Sequence, residues 1–125
     1  LLAILPLVVG LLWTMLLMEI WDIQLNFYNL VVLPALLGIG NDAGVHLVHR
    51  IRELGPARIG EVLRSTGDHV SMASITTMLG FAGPLLSTHP GLRSIGELAV
   101  IGIAATLLSA LIFLPALVRY RAGVR

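Results

Sequence analysis

Apolar residues fall in four long blocks, at 1–18, 30–48, 70–86 and 95–118, separated by short polar connections. Each block is apolar around its whole circumference rather than along one stripe, the pattern of a helix surrounded by lipid or by other helices. Each is also close to the ~20 residues that a helix needs to cross hydrocarbon. The pattern predicts an all-α, polytopic transmembrane bundle, with spans over about 1–20, 28–50, 69–87 and 94–118. Pro6, Pro34, Pro84 and Pro115 lie inside or near the ends of the blocks. In a membrane, neighbouring helices and polar side chains can satisfy the carbonyls that prolines free.

The connection between the second and third blocks has a pattern of its own. Gly55-Pro56 stops one helix, and Ile59, Val62 and Leu63 then recur at i, i+3, i+4 against Arg58, Glu61 and Arg64. That spacing predicts a short amphipathic elbow over 55–67, lying on the membrane surface.

Composition supports a membrane chain: 57% of residues are hydrophobic, 12% are charged and the mean hydropathy is +0.93. A soluble domain carries about 25% charged residues. The net charge of +1 matters less than the placement of the arginines. Arg50, Arg52, Arg58 and Arg64 occupy the second connection, Arg119, Arg121 and Arg125 the tail, and Arg93 alone lies on the opposite side of a four-span topology. The positive-inside rule then makes the 50–69 connection and the C-terminus cytoplasmic. Trp13, Trp21 and Tyr28 bracket the first outer turn as belt aromatics do, with Glu19 and Asp22 solvated beside them. The chain has no Cys, which excludes disulfides, thiolate metal sites and Cys nucleophiles. It opens at Leu1 inside an apolar run without a basic leader, and so reads as a piece of a longer chain rather than as a signal peptide.

Against this background one residue stands out. Asp42 interrupts the second block, flanked by Gly38, Gly40 and Gly44 and preceded by Asn41. An ionised carboxylate at membrane depth costs at least ~2.5 kcal/mol, and such acids mark ion pathways or proton relays. The expectation is a packed, lipid-shielded acid, with the three glycines thinning its helix and the Gly40-x-x-x-Gly44 spacing admitting a second backbone. Desolvation favours its neutral form and a nearby cation its charged form, so the group could bind and release protons as its surroundings alternate. A plain hydrogen bond to a neighbouring helix is the competing reading. His46 shares the Asp42 face, and His49 lies further along. Ser71, Ser74, Thr76 and Thr77 of the third block could hydrate the acid, or could simply contribute ~0.6 kcal/mol each to packing. Glu97 reads as interfacial, while Thr106 and Ser109 lie deeper in the fourth block.

Other chemistries find little support. His46 and His49 at i, i+3 suggest two metal ligands, but zinc sites take three or four protein ligands and no third is evident. The run GIGND resembles the GxGD of intramembrane aspartyl proteases, but Asn41 breaks it and no second deep acid is present to share a proton. There is no G-x-S-x-G, H-E-x-x-H or P-loop. No enzyme, metal, cofactor or nucleic-acid partner is expected.

In order, LP-x-LLGIG-x-D-x-GVHL-x-HRIRE, the elbow, S-x-TT-x-LGF-x-x-LL-S-x-HPGLRS-x-G and a last helix ending FLPAL resemble one half of the membrane domain of the resistance-nodulation-division (RND) superfamily. The chain is more narrowly similar to the MMPL-like branch, which includes hopanoid and other lipid exporters. The resemblance implies a membrane-embedded, proton-driven secondary transporter for lipid or other hydrophobic substrates, sited in a bacterial inner membrane. Its partners would be protons, the bilayer, a second membrane half and extracytoplasmic domains. It implies Asp42 as the proton-relay acid, with Thr76 and Thr77 matching the TT of the adjacent helix. Many MMPL members carry Tyr directly after the acid, whereas this chain has Ala43; Asn41 or His46 would then supply the missing hydrogen bond. A sterol-sensing or Patched-like lipid receptor domain and a Sec-translocon accessory subunit are the alternatives. The TTMLGF and HPGLRS runs fit the exporter branch better than the Sec one.

Overall fold

The structure, a computed structural model, describes residues 2–123. The described residues form four helical rods and no strand. The first is α1, Ile4–Ile20. A 3-10 turn, Asn29–Val31, leads into α2, Val32–Leu54. The third rod runs from Pro56 to Leu86 and contains α3, Ile59–Val62, a π-helical segment, Leu63–Gly67, and α4, Asp68–Ala82. The fourth joins α5, Pro90–Leu108, through a π-helical segment, Ser109–Phe113, to α6, Leu114–Ala122. The second, third and fourth rods are long and apolar enough to cross a membrane; α1 is equally apolar but has 17 residues.

Local chemistry accounts for the breaks. Gly55 adopts φ 84°, open to glycine at little cost, and its N–H still closes on the Ile51 carbonyl at 2.9 Å. At the other end of the bundle the chain turns extended at Ser87, and the Nδ1 of His89 caps α5 by accepting the Gly91 N–H at 3.1 Å, with Pro90 in the first helical position. The π-helical segment at 109–113 immediately precedes Pro115, which has no N–H to give to Leu111; a wider turn there absorbs the missing bond.

The elbow differs from its sequence expectation. It runs directly into the third rod, and its apolar side is covered by other helices of the chain. Ile59 and Val62 are 2% and 0% exposed and pack with Leu47, Val48 and Ile51 of α2 and Leu114 of α6. An amphipathic stripe looks the same whether its apolar side meets lipid or a helix, and here the ends of α2 and α6 are close enough to take it.

Helix α5 sits in the middle, against α1, α2 and α4. Toward the 21–31 and 87–89 connections the core holds Met18, Val32, Leu36, Leu98 and Ile103; toward the arginine-rich end it holds Leu47, Ile51, Val62, Leu107 and Leu114. Between them the helices nearly touch. A Cβ on Gly10 would lie 2.7 Å from the Thr106 Cα, and one on Gly40 would lie 2.8 Å from Leu7 Cδ1 and 3.2 Å from Thr106 Cγ2. One on Gly44 would meet the Ala3 carbonyl oxygen at 2.6 Å. Thr106, 2% exposed, thus fills the space that two glycines leave on α1 and α2.

Gly10→Ala should therefore force α1 and α5 apart and lower stability by ~1–3 kcal/mol, the usual range for overpacking. Gly38→Ala, whose added Cβ meets nothing within 4 Å, should be neutral or stabilising by up to ~1 kcal/mol. Denaturant unfolding in detergent checks both, and equal stabilities for the two variants would refute the close-approach account.

Candidate functional site around Asp42

The buried residues of α2 are Val32, Leu36, Gly40, Ala43, Gly44, Leu47, Val48 and Ile51, a stripe of spacing three and four. At 3.6 residues per turn, Asp42 lies about 200° around the helix from Gly40. It is accordingly exposed, as are Gly38, Val45, His46 and His49, while Asn41 is half-buried. The expected packed acid is not found within this chain. Gly40 and Gly44 do admit close approach, but by α5 and α1 on the side away from the carboxyl, and Gly38 borders open space. Ala43 faces the core, with 6% exposure, among Leu47, Val48 and Ile51.

The third rod continues this open face. Within α4 only Val70 and Ser74 are buried. Thr76 is exposed and donates its hydroxyl to the Met72 carbonyl at 2.8 Å; Thr77 is half-buried and donates to the Ala73 carbonyl at 2.9 Å. Ser71 likewise bonds back to the Gly67 carbonyl at 2.7 Å. Each of these hydroxyls is engaged with its own helix, and none is hydrogen-bonded to Asp42. Where α2 and the third rod lie together, His46, Thr66, His69, Val70 and Ala73 line a groove of about 350 Å³. His69 is anchored there through Nδ1, 2.7 Å from the Ser65 carbonyl. His69 has no local sequence signal as a site residue, and only the pairing of α2 with the third rod brings it to the same groove as His46.

Charged groups gather toward the end of α2. Glu53 lies 2.8 Å from Arg50 and 3.2 Å from His49. His49 is thus committed to Glu53 and not paired with His46. No group of three or more His, Cys, Asp or Glu side chains able to hold a metal occurs among the described residues. At the opposite end Arg93 pairs with the half-buried Glu97 at 2.9 Å.

Two polar joints hold the bundle in register. Ser109 Oγ donates to the Pro6 carbonyl at 2.6 Å across the buried contact of α1 with the π-helical segment that continues α5. Asn29, fully buried, donates to Ser94 Oγ at 2.9 Å and to the Gln24 carbonyl at 2.9 Å, and accepts the Asn26 N–H at 2.8 Å. Asn26 donates to the same Ser94 hydroxyl at 2.7 Å. The Tyr28 ring covers Gly91, where an added Cβ would fall 2.6 Å from Cγ. In sequence, Asn26-x-x-Asn29 before a helix was the available signal for this joint, although Ser94 lies 65 residues away from Asn29.

With this geometry in view, comparison with known proteins is informative. The MMPL family model matches residues 1–124. The chain belongs to the MMPL family. Among curated relatives of this MMPL chain, the hopanoid transporter HpnN of Rhodopseudomonas palustris is 33% identical over 93% of the chain and 13% of that protein. A membrane protein of Methanocaldococcus jannaschii is 31% identical over 92% of the chain and 31% of its own length. Protein patched homolog 2 of Mus musculus is 34% identical over 76% of the chain and 8% of its length. The MMPL chain thus spans under a third of each of these relatives. No solved structure matches at a significant level.

Asn29→Leu should leave the Gln24 carbonyl, the Asn26 amide and the Ser94 hydroxyl short of partners at a cost of ~1–3 kcal/mol, the penalty for stranded buried polar groups. Amide hydrogen exchange at Asn26 and Leu30 would accelerate accordingly. Unchanged protection would show that the cluster contributes nothing to the joint.

Proposed function

We propose that this chain is membrane machinery of a secondary transporter that uses the proton-motive force to export lipid or other hydrophobic substrates. The observation that carries the reading is Asp42, an acid midway along a helix of spanning length, on a face that the chain itself does not cover. Facing lipid, its ionised form would cost at least ~2.5 kcal/mol, so the face needs protein or water against it. A second membrane half seated on the α2–α4 face would supply that cover and could alternate it. Proton uptake then neutralises Asp42, relieves the desolvation cost and lets the faces shift. The energy is sufficient in scale, since one charge crossing 100 mV contributes ~2.3 kcal/mol.

Asn41, His46, Thr76 and Thr77 are the candidate supports. The threonine hydroxyls, whose protons are given to their own helix carbonyls, can still accept one hydrogen bond from a protonated acid or a water, a contribution of ~1 kcal/mol. The family assignment and the hopanoid transporter relatives support a hydrophobic cargo. The arginine-rich end, holding residues 50–69 and the C-terminal helix, is proposed to be cytoplasmic, and the membrane a bacterial inner membrane. The Patched relatives favour a second reading, a lipid-sensing domain that binds without pumping.

In vesicles containing the intact protein and given an imposed pH gradient, Asp42→Asn should abolish gradient-dependent lipid export, and Thr77→Val should slow it by no more than about tenfold. Export by Asp42→Asn at the unaltered rate would defeat proton coupling. Lipid binding without gradient-dependent export by the unmodified protein would favour the sensing domain.

A further inference from the structure

At the arginine-rich end a second feature stands apart from Asp42. Leu2, Ile51, Pro56 and Val118 wall an aliphatic cleft of about 330 Å³, and Arg52 and Arg121 border it. The cleft forms where α2 and α6 both terminate. Arg50, Arg58 and Arg93 are each held in an ion pair; Arg52, Arg64, Arg119 and Arg121 make none among the described residues, and of these Arg52 and Arg121 line the cleft. Among the described residues no carboxylate lines the cleft, and nearby Glu53 is already engaged by Arg50 and His49. Two arginines thus stand near the ends of α2 and α6, beside an apolar wall.

We propose that this cleft is a binding site for one anionic phospholipid of the surrounding bilayer. Its phosphate would take charge-assisted hydrogen bonds from Arg52 and Arg121, for which the planar guanidinium fork is well suited. Its acyl chain would lie along Leu2, Ile51 and Val118. A free phosphate would satisfy the arginines but leave the aliphatic wall wet, and a zwitterionic lipid would cover the wall but bring its own cation to the arginines. The anionic lipid satisfies both halves, in the way basic pockets between spanning helices recognise acidic headgroups.

The test uses the intact protein in phosphatidylcholine nanodiscs titrated with fluorescent phosphatidylglycerol. Arg52→Gln combined with Arg121→Gln should weaken retention by about tenfold or more, the loss of two charge-assisted bonds. Val118→Trp, which fills the cleft while keeping both charges, should weaken it too. Arg58→Gln with Arg64→Gln, on the same basic end but away from the cleft, should leave it unchanged. The proposal is overturned if the Arg52/Arg121 variant or Val118→Trp binds as the parent does, or if the Arg58/Arg64 variant loses as much. Displacement of the lipid by inorganic phosphate at equal concentration would overturn it as well, by showing a simple anion site.

Discussion

Everything in this bundle follows from how closely α1, α2 and α5 approach one another. Gly10 on α1 and Gly40 on α2 both yield their side-chain space to Thr106 of α5, and Gly44 yields its own to the Ala3 backbone. In lipid, where helices gain little from hiding apolar surface from each other, such close contact is a main source of association. The Ser109–Pro6 bond fixes the axial register of the same contact. Once α2 turns its glycines inward, helical periodicity leaves Asp42 no choice but the outer side.

That link explains why the sequence disclosed some features and hid others. The rods were legible because an all-round apolar run over spanning length has few other readings. The position of Asp42 midway along a rod was legible for the same reason. Its direction was readable in principle, since Gly40 and Gly44 lie two positions either side of it and so face away. Proximity in sequence instead suggested that the glycines packed around the acid. The elbow was legible as a stripe but not in its partner, because Ile59 and Val62 are buried by the distant residues Ile51 and Leu114. The Asn29–Ser94 and Ser109–Pro6 joints connect residues 65 and 103 positions apart, and neither has a local signature strong enough to announce it.

The two faces of α2 have different tasks. Its inner face is sealed by glycine and alanine against α1 and α5, a contact that tolerates little movement. Its outer face carries the acid and a histidine groove shared with the third rod, whose own threonines are spent on local carbonyls. Under the proposed function this division suits a coupling element, in which a close-packed seam would carry the acid to a face covered by the rest of the protein. The MMPL membership of the chain and its hopanoid transporter relatives give that arrangement a context. The proton itself is the part of the account that rests on the chemistry of Asp42.

The most direct test is therefore spectroscopic observation of that carboxyl in the intact protein. Infrared difference spectra recorded as pH is stepped, with Asp42→Asn to assign the band, report whether the group changes protonation. The account predicts a carboxylic-acid carbonyl band that rises and falls with pH and is missing from the variant. A carboxylate that stays ionised across the whole pH range in which transport operates would contradict it.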